Sequence, residues 1–180
     1  MLPAGPLMIE HRLIERMVAL LESNRKRMDQ TNKIDPDFLL TAAEFFRTYA
    51  DRCHHGKEED ILFVELNGKD LDKEHQRIMD ELTEEHILAR TNVRNLTAAS
   101  ERYEEGDLDA AEEILKIVGN LISLYPSHIE KEDKHFFIPV MDYFSRKEQM
   151  DMLHRFWEFD ERLIHRVYGD IVEKFESGGN

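Results

Sequence analysis

The sequence predicts an all-α protein: an up-and-down four-helix bundle with an additional C-terminal helix. Three observations carry this prediction. Apolar residues recur at three- and four-residue spacing along most of the chain, the period of one helix face. Only 8 Gly and 5 Pro punctuate its 180 residues. No segment offers the alternation and turn signals of paired strands or hairpins.

The first helix covers Leu7 to about Asp29, with Leu7, Ile14, Val18 and Leu21 on one stripe, and Thr31 to Pro36 breaks it. The second starts near Asp35 with Pro36 at its first position, where a missing N–H costs nothing, and runs to about Leu66 before the turn-like Asn67-Gly68. The third spans about Asp72 to Glu104 and ends at Glu105-Gly106. The fourth begins at Asp107 or Asp109, either able to cap its free amides. Pro126 should kink it, because proline lacks the backbone donor; helix then resumes through His128 to Phe137 and fades at Pro139. The fifth, about Arg146 to Phe175, aligns Met152, Phe156, Phe159, Leu163, Val167 and Ile171, and the Gly178-Gly179-Asn180 tail is expected to be disordered. The chain reads as a single domain, residues 1–180, with the bundle over about 7–143 and the extra helix over about 146–175.

Bulk composition removes several functional classes. The 38 acidic and 24 basic side chains give a formal charge of -14, which repels nucleic acid and anionic membrane. One cysteine, Cys53, cannot form an internal disulfide, and Met1 to Met8 shows neither a basic start nor a sustained apolar run. A cytoplasmic protein is therefore expected. No serine triad, glycine-rich phosphate loop or nucleotide fingerprint is present.

The informative feature is an internal repeat. His11 precedes His54-x-x-x-Glu58 by 43 positions, and His86 precedes His128-x-x-x-Glu132 by 42. Local context repeats too: Glu10-His11 answers Glu85-His86, and Lys57-Glu58-Glu59 answers Lys131-Glu132-Asp133. Residues four apart on a helix share a face, so each His–Glu pair can hold one metal ion. The stripes around them are apolar: Phe46, Ala50 and Ile61 beside His54; Met79, Leu82, Val93 and Leu96 beside His86; Ile114, Leu121 and Leu124 beside His128. Unpaired charge there is costly, and a metal is its natural partner.

His55-x-x-x-Glu59 offers the same spacing one residue along, but Thr48, Asp51 and Arg52 on its face predict solvent, leaving His55 a surface or supporting group. A lone histidine on an apolar face is more often a hydrogen-bonded core residue than a ligand; the repeat reverses this for His11, His54, His86 and His128. Lys57, Glu59, Lys131 and Asp133 read as a solvated face, His75 and His154 as surface groups, Trp157 as packed against the bundle, and Cys53 as a half-buried thiol. Imidazole plus carboxylate without thiolate suits iron, manganese or zinc. Two half-sites imply two ions bridged by Glu58 and Glu132.

These strings resemble the hemerythrin-like, HHE-type cation-binding family. They are Ile9-Glu10-His11-Arg12, the run His54-His55-Gly56-Lys57-Glu58-Glu59-Asp60-Ile61-Leu62-Phe63, Glu85-His86, and His128-Ile129-Glu130-Lys131-Glu132-Asp133. The resemblance spans about residues 7 to 140. It implies an antiparallel four-helix bundle around an oxo- or hydroxo-bridged diiron centre, with metal ligands at His11, His54, Glu58, His86, His128 and Glu132. It also implies iron over manganese, and oxygen, nitric oxide or peroxide as the small-molecule partner. The sequence departs from oxygen carriers at Arg90, where they have a second third-helix histidine. Their fourth-helix carboxylate is an aspartate five residues past the histidine; here Glu132 is four past, beside Asp133. A replacement ligand is open among His135, Tyr125, Glu158 and His165. Three functions follow: a binding, sensing or iron-handling protein; an enzyme acting on peroxide or nitric oxide or repairing iron-sulfur clusters; or a metal-free structural bundle. The fifth helix can cover the bundle or mediate a homodimer.

Overall fold

The computed structural model describes residues 1–31, 33–160 and 164–177. Among them every regular element is helical, and no strand occurs. The expected disorder of the Gly178–Asn180 tail and the placement of Leu163 lie outside the described residues.

The first helix, α1, spans Ala4–Thr31. The second begins as expected: Asp35 accepts from the Phe38 N–H, Pro36 takes the first turn, and α2 covers Pro36–Phe45. It then departs from α geometry. Phe46–His55 and Glu58–Leu62 are π-helical, followed by a short α3 at Phe63–Leu66. The five-residue bonds are explicit, with Gly56 N–H reaching Asp51 O and Phe63 N–H reaching Glu58 O. Asp72 caps α4, Lys73–Glu104, through the His75 N–H. Gly106 turns the chain at φ 102°, a left-handed conformation that costs glycine little. Asp107 then accepts from the Asp109 N–H, and α5 covers Ala110–Lys131 with Pro126 inside its span. A third π-helical segment, Glu132–Phe136, and α6, Phe137–Val140, complete this arm.

The predicted single fifth helix is two. A capping box between Ser145 and Glu148 opens α7, Arg146–Phe159, and α8 covers Ile164–Ser177. Asp160, with extended backbone at ψ 106°, ends α7 while its carboxylate accepts from Lys57 and Cys53. After the break α8 lies against α1, where Arg16 pairs with Glu176, and reaches α2, where Phe175 meets Phe38 at 4.9 Å between ring centroids; Val172 is fully buried. The single apolar side expected for this region fails accordingly. Trp157, expected against the bundle, is 69 % exposed, and Val167 is 50 % exposed.

Helices α1, α2, α4 and α5 pack side by side, α4 against α5 and α2, and α5 against α1. Their interior holds two separate apolar clusters. One contains Ile14, Leu21, Phe45, Phe46, Ala50, Ala89 and Leu121. The other contains Leu7, Leu62, Phe63, Leu82, Phe136 and Phe137. Along each arm buried polar residues stand between members of the two clusters: His11 between Leu7 and Ile14, His54 and Glu58 between Ala50 and Ile61, His86 between Leu82 and Ala89, His128 and Glu132 between Tyr125 and Phe136.

Candidate metal centre

All six residues singled out in the repeat meet in this layer. His11, His54, Glu58, His86 and Glu132 are no more than 1 % exposed, and His128 is 3 % exposed. The Nε2 atoms of His11 and His54 lie 2.9 Å apart. That separation suits neighbouring ligands on one ion with metal–nitrogen bonds of about 2.1 Å. Glu132 sends Oε2 to within 3.1 Å of His11 Nε2 and Oε1 to within 3.3 Å of His128 Nε2. Glu58 sends Oε1 to within 3.5 Å of His54 Nε2 and Oε2 to within 3.3 Å of His86 Nε2. Each glutamate therefore faces both half-sites.

Four carboxylates outside this ring orient the imidazoles. Glu10 meets His54 Nδ1 at 2.8 Å, and Glu85 meets His128 Nδ1 at 2.8 Å. Asp133 meets His11 Nδ1 at 2.7 Å, and Glu59 meets His86 Nδ1 at 2.6 Å. A carboxylate on Nδ1 holds that nitrogen's proton and turns the Nε2 lone pair inward, the arrangement that metal-ligating histidines use. The repeat thus has a physical meaning beyond the ligand spacing: Glu10 and Glu85 sit one residue before one histidine and serve another on the next helix. Lys57 donates to Glu10, and Lys131 donates to Glu85 at 2.7 Å, so the lysines repeat as well.

Six of the eight polar atoms aimed at the centre have no hydrogen-bond partner; the exceptions are the paired Nε2 atoms of His11 and His54. Both oxygens of Glu58 and of Glu132, and Nε2 of His86 and of His128, are buried without a hydrogen bond. Such groups cost free energy, whereas buried polar atoms are normally satisfied. Burial works against a charged imidazole, yet Asp133 and Glu132 outweigh it at His11, whose pKa is raised to about 10. Burial is likewise outweighed at His86 by Glu58 and Glu59, again to about 10. Burial opposes ionisation of Glu58 too, but His54 and His86 hold its carboxyl well below the ordinary range. The centre calls for positive charge, which protons or a cation can supply. Six converging imidazole and carboxylate groups without thiolate fit a pair of hard-to-borderline cations; the ligand atoms of His11, His54, Glu58 and Glu132, and of His55, Glu58, His86 and His128, form two groups in which all lie within 4.8 Å of one another.

Several expectations need correction. His55 is not on a solvated face: it is 1 % exposed and lies face to face with His86 at 3.8 Å between centroids. The cause is the π-helical turn, which takes about one more residue than an α turn and brings adjacent residues 54 and 55 to the same interior. Lys57 is fully buried between Glu10 and Asp160, and Lys131, Glu59 and Asp133 are only partly exposed, because Glu59 and Asp133 orient imidazoles and the two lysines hold carboxylates that do so. Cys53 is buried, with Sγ directed at Asp160 rather than the metal layer, and burial raises its pKa. His75 bonds the Tyr143 hydroxyl at 2.9 Å. Of the four replacement candidates, Tyr125 lines a narrow void with His55, His86 and His128; His165 stands a step away, on Tyr49 and Asp160; Glu158 and His135 face outward.

Arg90 bonds Asp51 at 2.7 Å and Glu59 at 2.8 Å, so it braces the carboxylate that orients His86. In comparison with known proteins, a family model described as the hemerythrin HHE cation binding domain matches residues 4–138. No curated protein and no solved structure matches the chain. Among the described residues no helix is long and apolar enough to cross a membrane.

Proposed function

From the premise that this chain belongs to the hemerythrin HHE cation-binding domain family, we propose that it is a diiron protein that binds oxygen, nitric oxide or peroxide. His11 and His54 would hold one ion and His86 and His128 the other, with Glu58 and Glu132 bridging in an up-and-down four-helix bundle. The observation that carries this reading is the pair of buried glutamates whose four oxygens each face a different imidazole and lack any hydrogen bond. Bidentate carboxylates left unpaired between two half-sites are what a pair of cations needs.

An iron pair supplies reversible one-electron exchange and an open position for a small molecule. The chain's own residues set its surroundings. Glu10, Glu59, Glu85 and Asp133 keep the imidazole Nδ1 protons in place and make Nε2 a stronger donor. Lys57 and Lys131 offset the charge of Glu10 and Glu85. The two apolar clusters exclude water from above and below, which strengthens every charge interaction in the layer. Protein from iron-supplemented cells should carry two irons per chain and show charge-transfer absorption of a bridged ferric pair; less than a tenth of an ion per chain would discard the reading.

A second reading, a diiron enzyme acting on peroxide or nitric oxide or serving in iron-sulfur repair, is favoured by Arg90. An arginine engaged with two carboxylates in place of an imidazole leaves the site less saturated. Turnover of peroxide or nitric oxide well above that of free iron would support it, and rates no better than free iron would discard it.

A further inference from the structure

We propose that His55 is a fifth imidazole ligand, bound to the ion shared by Glu58, His86 and His128, an inference that rests on the diiron reading above. One of its ring nitrogens lies within 4.8 Å of a carboxylate oxygen of Glu58 and of a ring nitrogen each of His86 and His128. The ring is enclosed among them, stacked on His86 and edge-on to His128 at 5.6 Å.

Three features set His55 apart from a packing histidine. Its Nδ1 is buried without a hydrogen bond, an orphan of the same kind as the glutamate oxygens around it. That Nδ1 faces Asp51 Oδ1 at 3.5 Å, repeating in loosened form the Nδ1-to-carboxylate pattern of the other four imidazoles. Ligation at Nε2 tightens that contact and satisfies the orphan. Arg90 is the third feature: it grips Asp51 Oδ1 at 2.7 Å and thereby fixes the carboxylate that His55 would use. The arginine that occupies a histidine's place on α4 thus helps to seat a histidine from the neighbouring arm.

The repeat is asymmetric at this point. The residue after His54 is His55, whereas the residue after His128 is Ile129, which packs in the apolar core. The proposal therefore makes the ions unequal, three imidazoles on one and two on the other. With the longest Nδ1 contact of the five, His55 should be the weakest-held of them.

Proton NMR of the iron-loaded, full-length protein tests this, because each ligating imidazole contributes one exchangeable, hyperfine-shifted N–H signal. Five such signals are expected in the wild type and four in His55→Gln. Four in the wild type overturn the proposal. Chelator competition gives a second readout: His55→Gln and His55→Phe, checked for folding by circular dichroism, should release one iron of the two at about ten-fold or more lower chelator concentration. Retention of both irons at wild-type affinity in both variants also overturns it. A wild-type chain that never loads two irons sinks the diiron reading itself, so the two failures are told apart by which protein shows them.

Discussion

At the scale of the residue, the centre depends on side chains that lie outside the ring of six converging residues. Glu10 illustrates this: 2 % exposed, it accepts from His54 and from Lys57 at once. Glu10→Ala should lower iron affinity by about 10- to 100-fold with helicity retained, as removal of an orienting carboxylate does elsewhere; a chelator titration measures it. Lys57 makes the complementary case. Removing one member of a buried ion pair strands the other, so Lys57→Met should destabilise the protein by about 3–5 kcal/mol in chemical denaturation, and pairing it with Glu10→Gln should recover part of that loss. Recovery would show that the penalty is stranded charge and not lost packing around the lysine stem. Neither role can be read from residue type and spacing alone. Glu10 and Lys57 look like ordinary surface charges until a partner on another helix faces them.

At the scale of the element, the π-helical departures from regular helix fall on the two arms that carry the His-x-x-x-Glu pairs. Among the described residues the three π-helical segments, Phe46–His55, Glu58–Leu62 and Glu132–Phe136, begin or end at His55, Glu58 and Glu132, whose side chains face the centre. The wider turn is what admits both His54 and His55, and it is why a face assignment based on α geometry put His55 outside. The last arm shows local signals working as expected. Ser145 accepts from the Glu148 N–H while Glu148 accepts from Ser145, and Ser145→Ala should cost about 1 kcal/mol in thermal or chemical unfolding. Lys69 first, then Ser145, hold the Glu148 pKa down to about 2. A depressed carboxyl contributes stability that is full above its unfolded value near 4.5 and is lost as pH falls toward 2. Lys69→Met should therefore lower the unfolding midpoint at pH 6 and converge with the wild type near pH 2; an equal difference at both pH values would refute the assignment.

At the scale of the whole molecule, a layer of buried imidazoles and carboxylates divides what would otherwise be one apolar core. The unpaired glutamate oxygens in that layer are a cost the fold carries without metal and recovers with it. Iron loading should accordingly raise stability by the binding linkage, about 2.7 kcal/mol when free metal stands at 100 times its dissociation constant. Calorimetry of loaded and chelator-treated protein measures this, and equal midpoints would show that the layer gains nothing from a cation. The pseudo-symmetry of the two halves extends to this scale. Lys57, Glu10 and His54 on one side match Lys131, Glu85 and His128 on the other.

The sequence by itself determined the helical class, the start of the second helix at Asp35-Pro36, and the six residues that meet between the clusters. All of these rest on local periodicity and on a repeat that survives in one dimension. It could not place His55, Lys57 or Trp157, nor divide the last helix at Asp160. Those outcomes depend on turn width and on contacts between distant segments, such as Asp160 with Lys57 and Arg90 with Asp51. A helix face can be computed from spacing only while the turn stays regular, and a charged side chain is buried or exposed according to which partner another helix brings to it. Those two facts are physical properties of the assembled bundle, and only its tertiary structure decided them.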